Sequence, residues 1–245
     1  MVCQLRRWWY SVAMASPELS MVIPAFNEGA HLSSVIEEMA TVLDGFGIDY
    51  ELCIVNNGSV DDTAAVIDRL EKVNPRITHV YLAQNRQYGG GVRAGLECAK
   101  GDMLGWVHAD GQADPHDIIA IYTKMSAQHR ELGKAVRMQS SESQFRKTLS
   151  FFFKSIFRIL FLSPYRDVNA TPKLLTRAAM QKLALSSDDW FLDPEFVIKG
   201  IRFGLPISEV ETTWRLRKSG ATKARLILHS LQFLKNMLVY RFGIK

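Results

Sequence analysis

The chain has 245 residues, of which 47% are hydrophobic and 22% charged, and its formal net charge is +5. This length and composition suit one large α/β domain or two small ones, and they exclude a disordered chain. No apolar stretch reaches the ~18–20 residues that a membrane-spanning helix requires, so we predict a protein that does not cross a membrane.

The N-terminal residues combine arginines with aromatic side chains but lack the sustained apolar region of a signal peptide. We expect residues 1–19 to be an N-terminal extension and residues 20–245 to form one domain, because no linker or repeat interrupts the chain. Cys3, Cys53 and Cys98 have no metal or redox spacing. They favour a cytoplasmic protein in which Cys53 is a buried thiol.

The first half of the chain alternates short apolar runs with amphipathic helical patterns. The predicted strands are residues 21–26, 51–55, 77–83 and 103–107. The predicted helices are residues 32–43, 61–73 and 90–99, the second of them capped by Asp61 or Asp62. This alternation predicts parallel strands with helices on both faces of the sheet. Ligands of such a sheet bind outside the carboxyl ends of its strands.

The second half of the chain is less regular and more basic. Residues 133–177 contain nine Lys and Arg against two acids, and residues 201–245 again contain nine against two. Such a surplus suggests a polyanionic partner, for example phosphates, an anionic membrane face or nucleic acid. A basic surface that is merely solvated is the alternative.

Two helical patterns in the second half mix apolar side chains with cations. Residues 145–162 are rich in phenylalanine but include Lys154 and Arg158, and residues 221–242 repeat this composition. Both are too short or too charged to span a bilayer, and they suit helices that lie in a lipid interface. A core helix whose cations reach back to solvent is the alternative.

Polar clusters follow the predicted strands at the points where they end. His108-Ala109-Asp110-Gly111-Gln112 comes directly after the strand at 103–107. A carboxylate and an amide oxygen two residues apart can both reach one hard cation, which would neutralise a diphosphate leaving group. For this segment alone, a polar strand-to-loop turn is the alternative.

Four segments occur in a specific order along the chain. They are Val22-Ile23-Pro24-Ala25-Phe26-Asn27-Glu28, Ile54-Val55-Asn56-Asn57-Gly58-Ser59, Asn85-Arg86 with Gly89 to Gly95, and Ala109-Asp110-Gly111-Gln112 before Pro115. This order resembles the inverting glycosyltransferases of family 2, and among them the polyprenol-phosphate (dolichol-phosphate) mannosyl- and glucosyltransferases. The resemblance covers roughly residues 20–223.

The resemblance implies the GT-A fold, a Rossmann-like single α/β domain with a mostly parallel central sheet, helices on both faces and C-terminal amphipathic helices. Its nucleotide-binding half would span about residues 20–115 and its acceptor-binding half about residues 116–245. The implied donor is UDP- or GDP-hexose, and the implied acceptor is a polyprenyl phosphate at the inner face of a membrane.

The resemblance also implies a donor site. Pro24, Phe26 and Glu28 would line the nucleoside pocket, and Asn56 would accept a base N–H where the family usually has an aspartate. The implied contacts to the donor diphosphate come from a mobile basic loop that contains Arg215 and Lys223.

The implied metal ligands are Asp110, Gln112 and His108. His108 falls where the first aspartate of the family's metal motif belongs. The resemblance implies Mn²⁺ or Mg²⁺ as the cofactor, and an imidazole ligand favours manganese. Asp110 would thereby be a catalytic residue.

The implied acceptor site consists of Arg137, Arg146 and Ser150, which would hold the acceptor phosphate. Arg146 and Asp167, which takes the place of an acidic segment near the donor sugar, would be catalytic. A lipid phosphate is already an anion and needs no strong general base, so alignment and charge neutralisation would supply most of the rate. A hydroxyl acceptor would need a base, for which Asp167, Asp188 or Asp189 are candidates.

Other interpretations stay open at this point. Asn56, Asn57 and His108 replace acids that such sites commonly use, so an inactive sugar-nucleotide-binding or scaffold protein of the same fold is one alternative. Gly89 to Ala94 also fits a dinucleotide-binding fingerprint, although five residues separate the predicted strand from its first glycine. Charge alone suggests nucleic acid, and because no known binding motif accompanies it we predict no nucleic-acid partner.

Overall fold

The fold is built on a seven-stranded sheet with the strand order β3-β2-β1-β4-β6-β5-β7. The structure is a computed structural model that describes residues 16–138, 144–213, 215 and 226–243, without the side chains of residues 144–151 and 226–231. The strands are β1 (Leu19–Ala25), β2 (Tyr50–Asn57), β3 (Ile77–Leu82), β4 (Met103–Trp106), β5 (Leu132–Arg137), β6 (Lys173–Thr176) and β7 (Ile207–Thr212). The helices are α1 (Gly29–Phe46), α2 (Thr63–Val73), α3 (Gln87–Cys98), α4 (Pro115–Gln128), α5 (Gln144–Phe161), α6 (Arg177–Leu183), α7 (Leu192–Arg202) and α8 (Leu226–Phe242).

The sheet is mostly parallel, as the sequence predicts. Strands β1 to β4 pair in parallel, and so do β5 and β7, whereas β6 runs antiparallel to both β4 and β5. In the register of β1, Ala25 lies opposite Asn56 and Val22 lies opposite Trp106. The loops that follow β1, β2 and β4 therefore meet at one edge of the sheet.

Apolar side chains form a core on each face of the sheet, which is the reason for the mostly apolar sequences of the central strands β1, β2 and β4. Met21 and Ile23 of β1 pack in one core with α1, α2 and α4, and Val22 packs in the other core with α3 and α7. The predicted strands and helices of the first half are confirmed, with bounds that differ by a few residues. Cys53 is buried, as predicted.

Three strands and three helices of the second half were not predicted, namely β5, β6, β7, α4, α6 and α7. In two of the strands a fully buried lysine interrupts the apolar pattern, Lys134 in β5 and Lys173 in β6. Each lysine has a carboxylate partner from another element, since Lys134 Nζ lies 2.8 Å from Glu209 Oε1 and Lys173 Nζ lies 2.8 Å from Asp193 Oδ1. These pairs offset the cost of burying the charges.

Helices α5 and α8 contact each other, and each buries only part of its apolar surface. Phe157 and Met237 are buried in the core, whereas Ile159 and Leu162 are 75% and 85% exposed. The cations Lys154 and Arg158 are exposed. One side of α5 thus packs in the core, as the core-helix alternative expects, and the lipid-interface interpretation of its exposed side stays a prediction. Within the described residues, no helix is long and apolar enough to cross a membrane.

Candidate active site

The loops after β1 and β2 are locked together by asparagine side chains. The backbone N–H of Asn27 donates to Ser59 Oγ at 3.0 Å, and the side-chain oxygen Asn27 Oδ1 accepts the Val60 N–H at 2.9 Å. Asn56 Oδ1 accepts the Ser59 N–H at 2.9 Å, which closes the turn at the end of β2. These hydrogen bonds stabilise a single conformation of the two polar loops at the edge of the sheet.

The residues predicted to line the nucleoside pocket lie at this edge. Pro24, Phe26 and Glu28 are half-buried, and Asn56 is buried. Glu28 Oε2 lies 2.9 Å from His31 Nε2. The structure therefore brings all four residues to one place, and their contact with a nucleotide stays a prediction.

The choice between Asp61 and Asp62 as helix cap is settled by their hydrogen bonds. Asp61 Oδ1 accepts the N–H of Thr63, the first residue of α2, at 3.1 Å. Its other oxygen accepts the N–H of Gly29, the first residue of α1, at 3.2 Å. Asp61 thus joins the starts of two helices, and its role is structural.

The glycines at the start of α3 allow this helix to pack closely against a neighbouring loop. Gly90 N donates to the Asp188 carbonyl at 2.9 Å, and a Cβ built on Gly89 would lie 2.3 Å from the Ser187 carbonyl oxygen. Only a residue without a side chain fits there. Packing accounts for this glycine run, so the dinucleotide-binding interpretation is not needed.

The motif after β4 brings an imidazole, a carboxylate and an amide together. His108 Nδ1 lies 4.0 Å from Asp110 Oδ2, and Asp110 Oδ1 accepts the backbone N–H of Gln112 at 3.1 Å. Burial lowers the pKa of His108, which keeps the imidazole neutral and able to donate a lone pair. The oxygen donors of Asp110 and Gln112 suit Mg²⁺ or Mn²⁺, and the imidazole of His108 favours Mn²⁺ between the two. Within the described residues, no three His, Cys, Asp or Glu side chains form a metal cluster, so such a site would depend on the Gln112 amide.

His108 belongs to a group of three rings that sequence reasoning missed. The Tyr88 and Trp190 rings stack with centroids 4.5 Å apart, and the His108 ring meets Tyr88 edge-on at 4.9 Å. We call Tyr88, His108 and Trp190 the aromatic wall. Tyr88 stands between Asn85-Arg86 and the glycines of the third segment, and that position was the available signal, whereas no segment of the sequence analysis marks Trp190.

A buried ion pair lies behind the aromatic wall. Asp193 Oδ1 accepts from Trp106 Nε1 at 3.0 Å and from Lys173 Nζ at 2.8 Å. Burial raises the pKa of the Tyr88 phenol well above its usual value, and the charge of Asp193 and a hydrogen bond to it raise it further. Asp193 at the start of α7 is thereby bonded to Trp106 of β4 and to Lys173 of β6.

Two residues predicted for the acceptor side form a bidentate ion pair. Arg137 Nε lies 2.6 Å from Asp167 Oδ2, and Arg137 Nη2 lies 2.8 Å from Asp167 Oδ1. Burial alone would raise the pKa of Asp167, but the hydrogen bonds and charge of Arg137 lower it to about 2. A carboxylate with so low a pKa is a weak base at neutral pH.

The other two candidate bases also have structural partners. Asp188 Oδ1 lies 2.6 Å from Arg93 Nη1. Asp189 Oδ1 accepts the Phe191 N–H at 2.9 Å, and Asp189 Oδ2 accepts from Asn236 Nδ2 at 2.9 Å. All three carboxylates are therefore held by partners in the folded chain, and this arrangement disfavours general-base chemistry.

Arg215 is placed directly beside the metal motif. Its backbone N–H donates to the Gln112 carbonyl at 2.9 Å, and its guanidinium is paired with Glu38 and Asp114. Lys223 lies outside the described residues, and so do the side chains of Arg146 and Ser150 in the first turns of α5. The predicted roles of these three residues stay predictions.

A mostly parallel sheet with helices on both faces and polar loops at the carboxyl ends of β1, β2 and β4 defines the GT-A class of fold. Glucosyl-3-phosphoglycerate synthase from Mycobacterium tuberculosis, crystallised with Mn²⁺, UDP and glucosyl-3-phosphoglycerate, shares this fold. Its TM-score is 0.74 at 20% identity, over 94% of this chain and 81% of that one. The same enzyme has also been crystallised with Mg²⁺ and UDP.

The profile described as "Glycosyl transferase family 2" matches residues 20–187, and the chain belongs to this family of glycosyltransferases. It is similar to the dolichyl-phosphate beta-glucosyltransferase of Dictyostelium discoideum, with 26% identity over 91% of this chain and 74% of the relative. The enzyme of the same name from Drosophila melanogaster is 29% identical over 81% of this chain and 67% of the relative. The resemblance found in the sequence is thereby confirmed.

Proposed function

We propose that the chain transfers a hexose from a nucleotide sugar, UDP- or GDP-hexose, to a polyprenyl phosphate of the dolichyl type, with inversion at the anomeric carbon. The observation that carries this proposal is the Arg137–Asp167 pair at the carboxyl end of β5, the strand that leads to α5. Arg137 supplies a cation for an acceptor phosphate. The three candidate bases, Asp167, Asp188 and Asp189, are all held by hydrogen bonds or ion pairs within the chain. The similarity to dolichyl-phosphate glucosyltransferases supports the same acceptor.

The donor would lie across the loops after β1, β2 and β4. Pro24, Phe26, Glu28 and Asn56 would hold the nucleoside, and Arg215 would add positive charge next to the diphosphate. His108, Asp110 and Gln112 would hold a divalent cation, Mn²⁺ or Mg²⁺, which would neutralise the charge that develops on the leaving diphosphate.

The acceptor would approach from the side of β5 and α5. Arg137, with Arg146 and Ser150 from α5, would orient the phosphate so that one of its oxygens attacks the anomeric carbon while the bond to the diphosphate breaks. Because the attacking oxygen is already anionic, no proton has to be removed in this step. The low pKa of Asp167 is compatible with a carboxylate that orients Arg137.

The exposed apolar side chains of α5 and α8 suit contact with a lipid surface. The exposed apolar residues are Ile159 of α5, Leu162 directly after α5 and Phe242 of α8. Cations of the same two helices, namely Lys154, Arg158 and Arg241, are exposed as well. Apolar side chains flanked by cations favour the anionic head-group region of a membrane. We infer a peripheral protein on the cytoplasmic face, with a nucleotide-binding half and an acceptor-binding half as in the sequence prediction.

Transfer of labelled hexose into an organic phase tests this function. Purified protein with Mn²⁺ receives UDP- or GDP-hexose and either a polyprenyl phosphate or the matching polyprenol, which offers a hydroxyl in place of the phosphate. We expect label in the lipid only with the phosphate and with one donor. Equal labelling of the polyprenol would contradict the phosphate acceptor, and nucleotide binding without transfer would identify an inactive binding protein.

A further inference from the structure

The loop between α5 and β6, residues 162–172, is held by the ammonium group of a buried lysine. Lys134 Nζ of β5 donates to the backbone carbonyl oxygen of Arg166 and, at 3.3 Å, to that of Asp167. The same nitrogen lies 2.8 Å from Glu209 Oε1 of β7. Because the Lys134 side chain is fully buried, these protein groups take the place of water around its charge.

Glu209 completes this arrangement from the neighbouring strand. It lies directly opposite Lys134 in the parallel register of β5 and β7, and its Oε1 accepts the backbone N–H of Arg166 at 2.9 Å. The lysine and the glutamate therefore bind the carbonyl and the N–H of the same loop residue. This double contact restricts the backbone of the loop directly before Asp167.

Asp167 depends on that restriction for its own conformation. Its φ of 43° lies in the left-handed region, which residues with a side chain adopt only when their surroundings hold them there. From this position its carboxylate receives both the backbone N–H of Arg137, at 3.3 Å, and the guanidinium. The conformation of the loop thus determines how Asp167 meets Arg137.

We propose that Lys134, together with Glu209, is a positioning residue for the acceptor phosphate, because it holds the loop in which Asp167 orients the Arg137 guanidinium. This inference rests on the proposed function, in which Arg137 binds the phosphate of the lipid. Replacing a buried ion pair by well-packed apolar side chains often leaves stability unchanged or raises it. An apolar side chain at position 134, however, could not donate hydrogen bonds to the two loop carbonyls.

Steady-state kinetics with a short water-soluble polyprenyl phosphate test this role. Lys134→Met keeps the length of the side chain and removes its ammonium group. We expect KM for the phosphate to rise about 10- to 100-fold, the equivalent of one charge-assisted hydrogen bond. The kcat at saturating acceptor and KM for the nucleotide sugar should stay close to those of the wild type, a pattern that general damage to the fold would not produce. A wild-type KM for the phosphate would overturn the inference.

Two carboxylates of β7 provide a matched pair of variants, which also decides the question if Lys134→Met does not fold. Glu209 bonds to the backbone N–H of Arg166, whereas Glu211 bonds to the exposed guanidinium of the same residue at 2.8 Å. We expect Glu209→Ala to raise KM for the phosphate as Lys134→Met does, and Glu211→Ala to behave like the wild type. Equal KM values in the two variants would overturn the inference.

Hydrogen exchange of the loop gives a readout that needs neither substrate nor activity. Followed by mass spectrometry, amides of residues 163–170 should exchange about tenfold faster in Lys134→Met and Glu209→Ala, because a lost charge-assisted hydrogen bond favours local opening. Peptides from β1 and β2 should exchange as in the wild type. Unchanged exchange of the loop in both variants would overturn the inference and leave the proposed function standing. A wild type that transfers no hexose to the phosphate would instead overturn the proposed function, whatever the exchange shows.

Discussion

The buried charges around the site occur as defined pairs. Lys173 pairs with Asp193, Lys134 with Glu209, and Arg137 with Asp167. Removing one member of such a pair leaves a desolvated charge, which costs more than the pair itself contributes. At the scale of single residues, the site therefore depends on partners that come from different elements.

Replacing the carboxylate of Asp110 tests the proposed metal site directly. Asp110→Asn keeps the shape and the oxygen that accepts the Gln112 N–H but removes the charge. We expect kcat to fall about 100-fold or more, since electrostatic stabilisation of a leaving group is among the largest catalytic effects. Steady-state kinetics with Mn²⁺ measures this, and Asp44→Asn, a surface carboxylate bonded to Arg76, is the control. A normal rate in Asp110→Asn would exclude the proposed metal site.

The Arg137–Asp167 pair makes stability depend on pH. Folding lowers the pKa of Asp167 from 3.8 to about 2, so the ionised pair stabilises the protein above the unfolded pKa and loses this effect as pH falls toward 2. The shift corresponds to about 2 kcal/mol at neutral pH. We expect Asp167→Asn to be less stable than the wild type at pH 7, with the difference shrinking between pH 4 and pH 2. Urea unfolding at several pH values measures it, and a constant difference would contradict the assignment.

Packing of whole elements explains the glycine run at the start of α3. Gly89 faces backbone atoms of the loop before α7, which carries Trp190 of the aromatic wall. Gly95 of the same helix faces Val22 and Val55 on the sheet. The helix is therefore held close to both neighbours, and this closeness positions Tyr88 beside His108.

Two glycine-to-alanine variants distinguish this packing from a general helix effect. A Cβ at Gly89 would meet carbonyl oxygens at 2.3 and 2.7 Å, so Gly89→Ala should destabilise by about 1–3 kcal/mol. Gly45 lies in α1 with nothing within 4 Å of such a Cβ, so Gly45→Ala should stabilise by about 0.5–1 kcal/mol. Urea unfolding measures the free energy of unfolding of both variants against the wild type. If both substitutions stabilised the protein, α3 would not be packed tightly against the loop before α7.

At the scale of the whole molecule, the lipid-binding surface that we propose consists of the exposed sides of the helices α5 and α8. These helices expose the apolar side chains of Ile159 and Phe242, and the predicted acceptor residues Arg146 and Ser150 belong to α5 as well. This arrangement would place the acceptor phosphate beside the head-group region while the donor loops stay in water.

Vesicle binding tests this surface. The double variant Ile159→Ser and Leu162→Ser should bind anionic phospholipid vesicles about tenfold or more weakly, because each buried aliphatic side chain contributes about 1.5–3 kcal/mol. Val73→Ser, at an 80% exposed position at the end of α2, should bind like the wild type. Cosedimentation measures both, with a short water-soluble polyprenyl phosphate as substrate to verify that catalysis is intact. If the double variant bound vesicles as tightly as the wild type, the proposed membrane-binding surface would be contradicted.

The sequence by itself determined the first half of the fold and the position of the site. Strands β1, β2 and β4 are mostly apolar because both of their faces are covered, and α1 and α2 show one apolar stripe each. Parallel strands bring their carboxyl ends to one edge, so the loops with Asn27, Asn56 and Asp110 were predictable as neighbours.

Only the tertiary structure decided the second half and the inner partners of the site. Lys134 and Lys173 obscure β5 and β6 in the sequence, since a buried lysine is stable only with partners such as Glu209 and Asp193 that are distant along the chain. The pairing of Arg137 with Asp167, and of Tyr88 with His108, likewise joins residues 30 and 20 positions apart. Local patterns report burial and periodicity, whereas the choice of a polar partner depends on which side chains the finished fold brings within a hydrogen bond of each other.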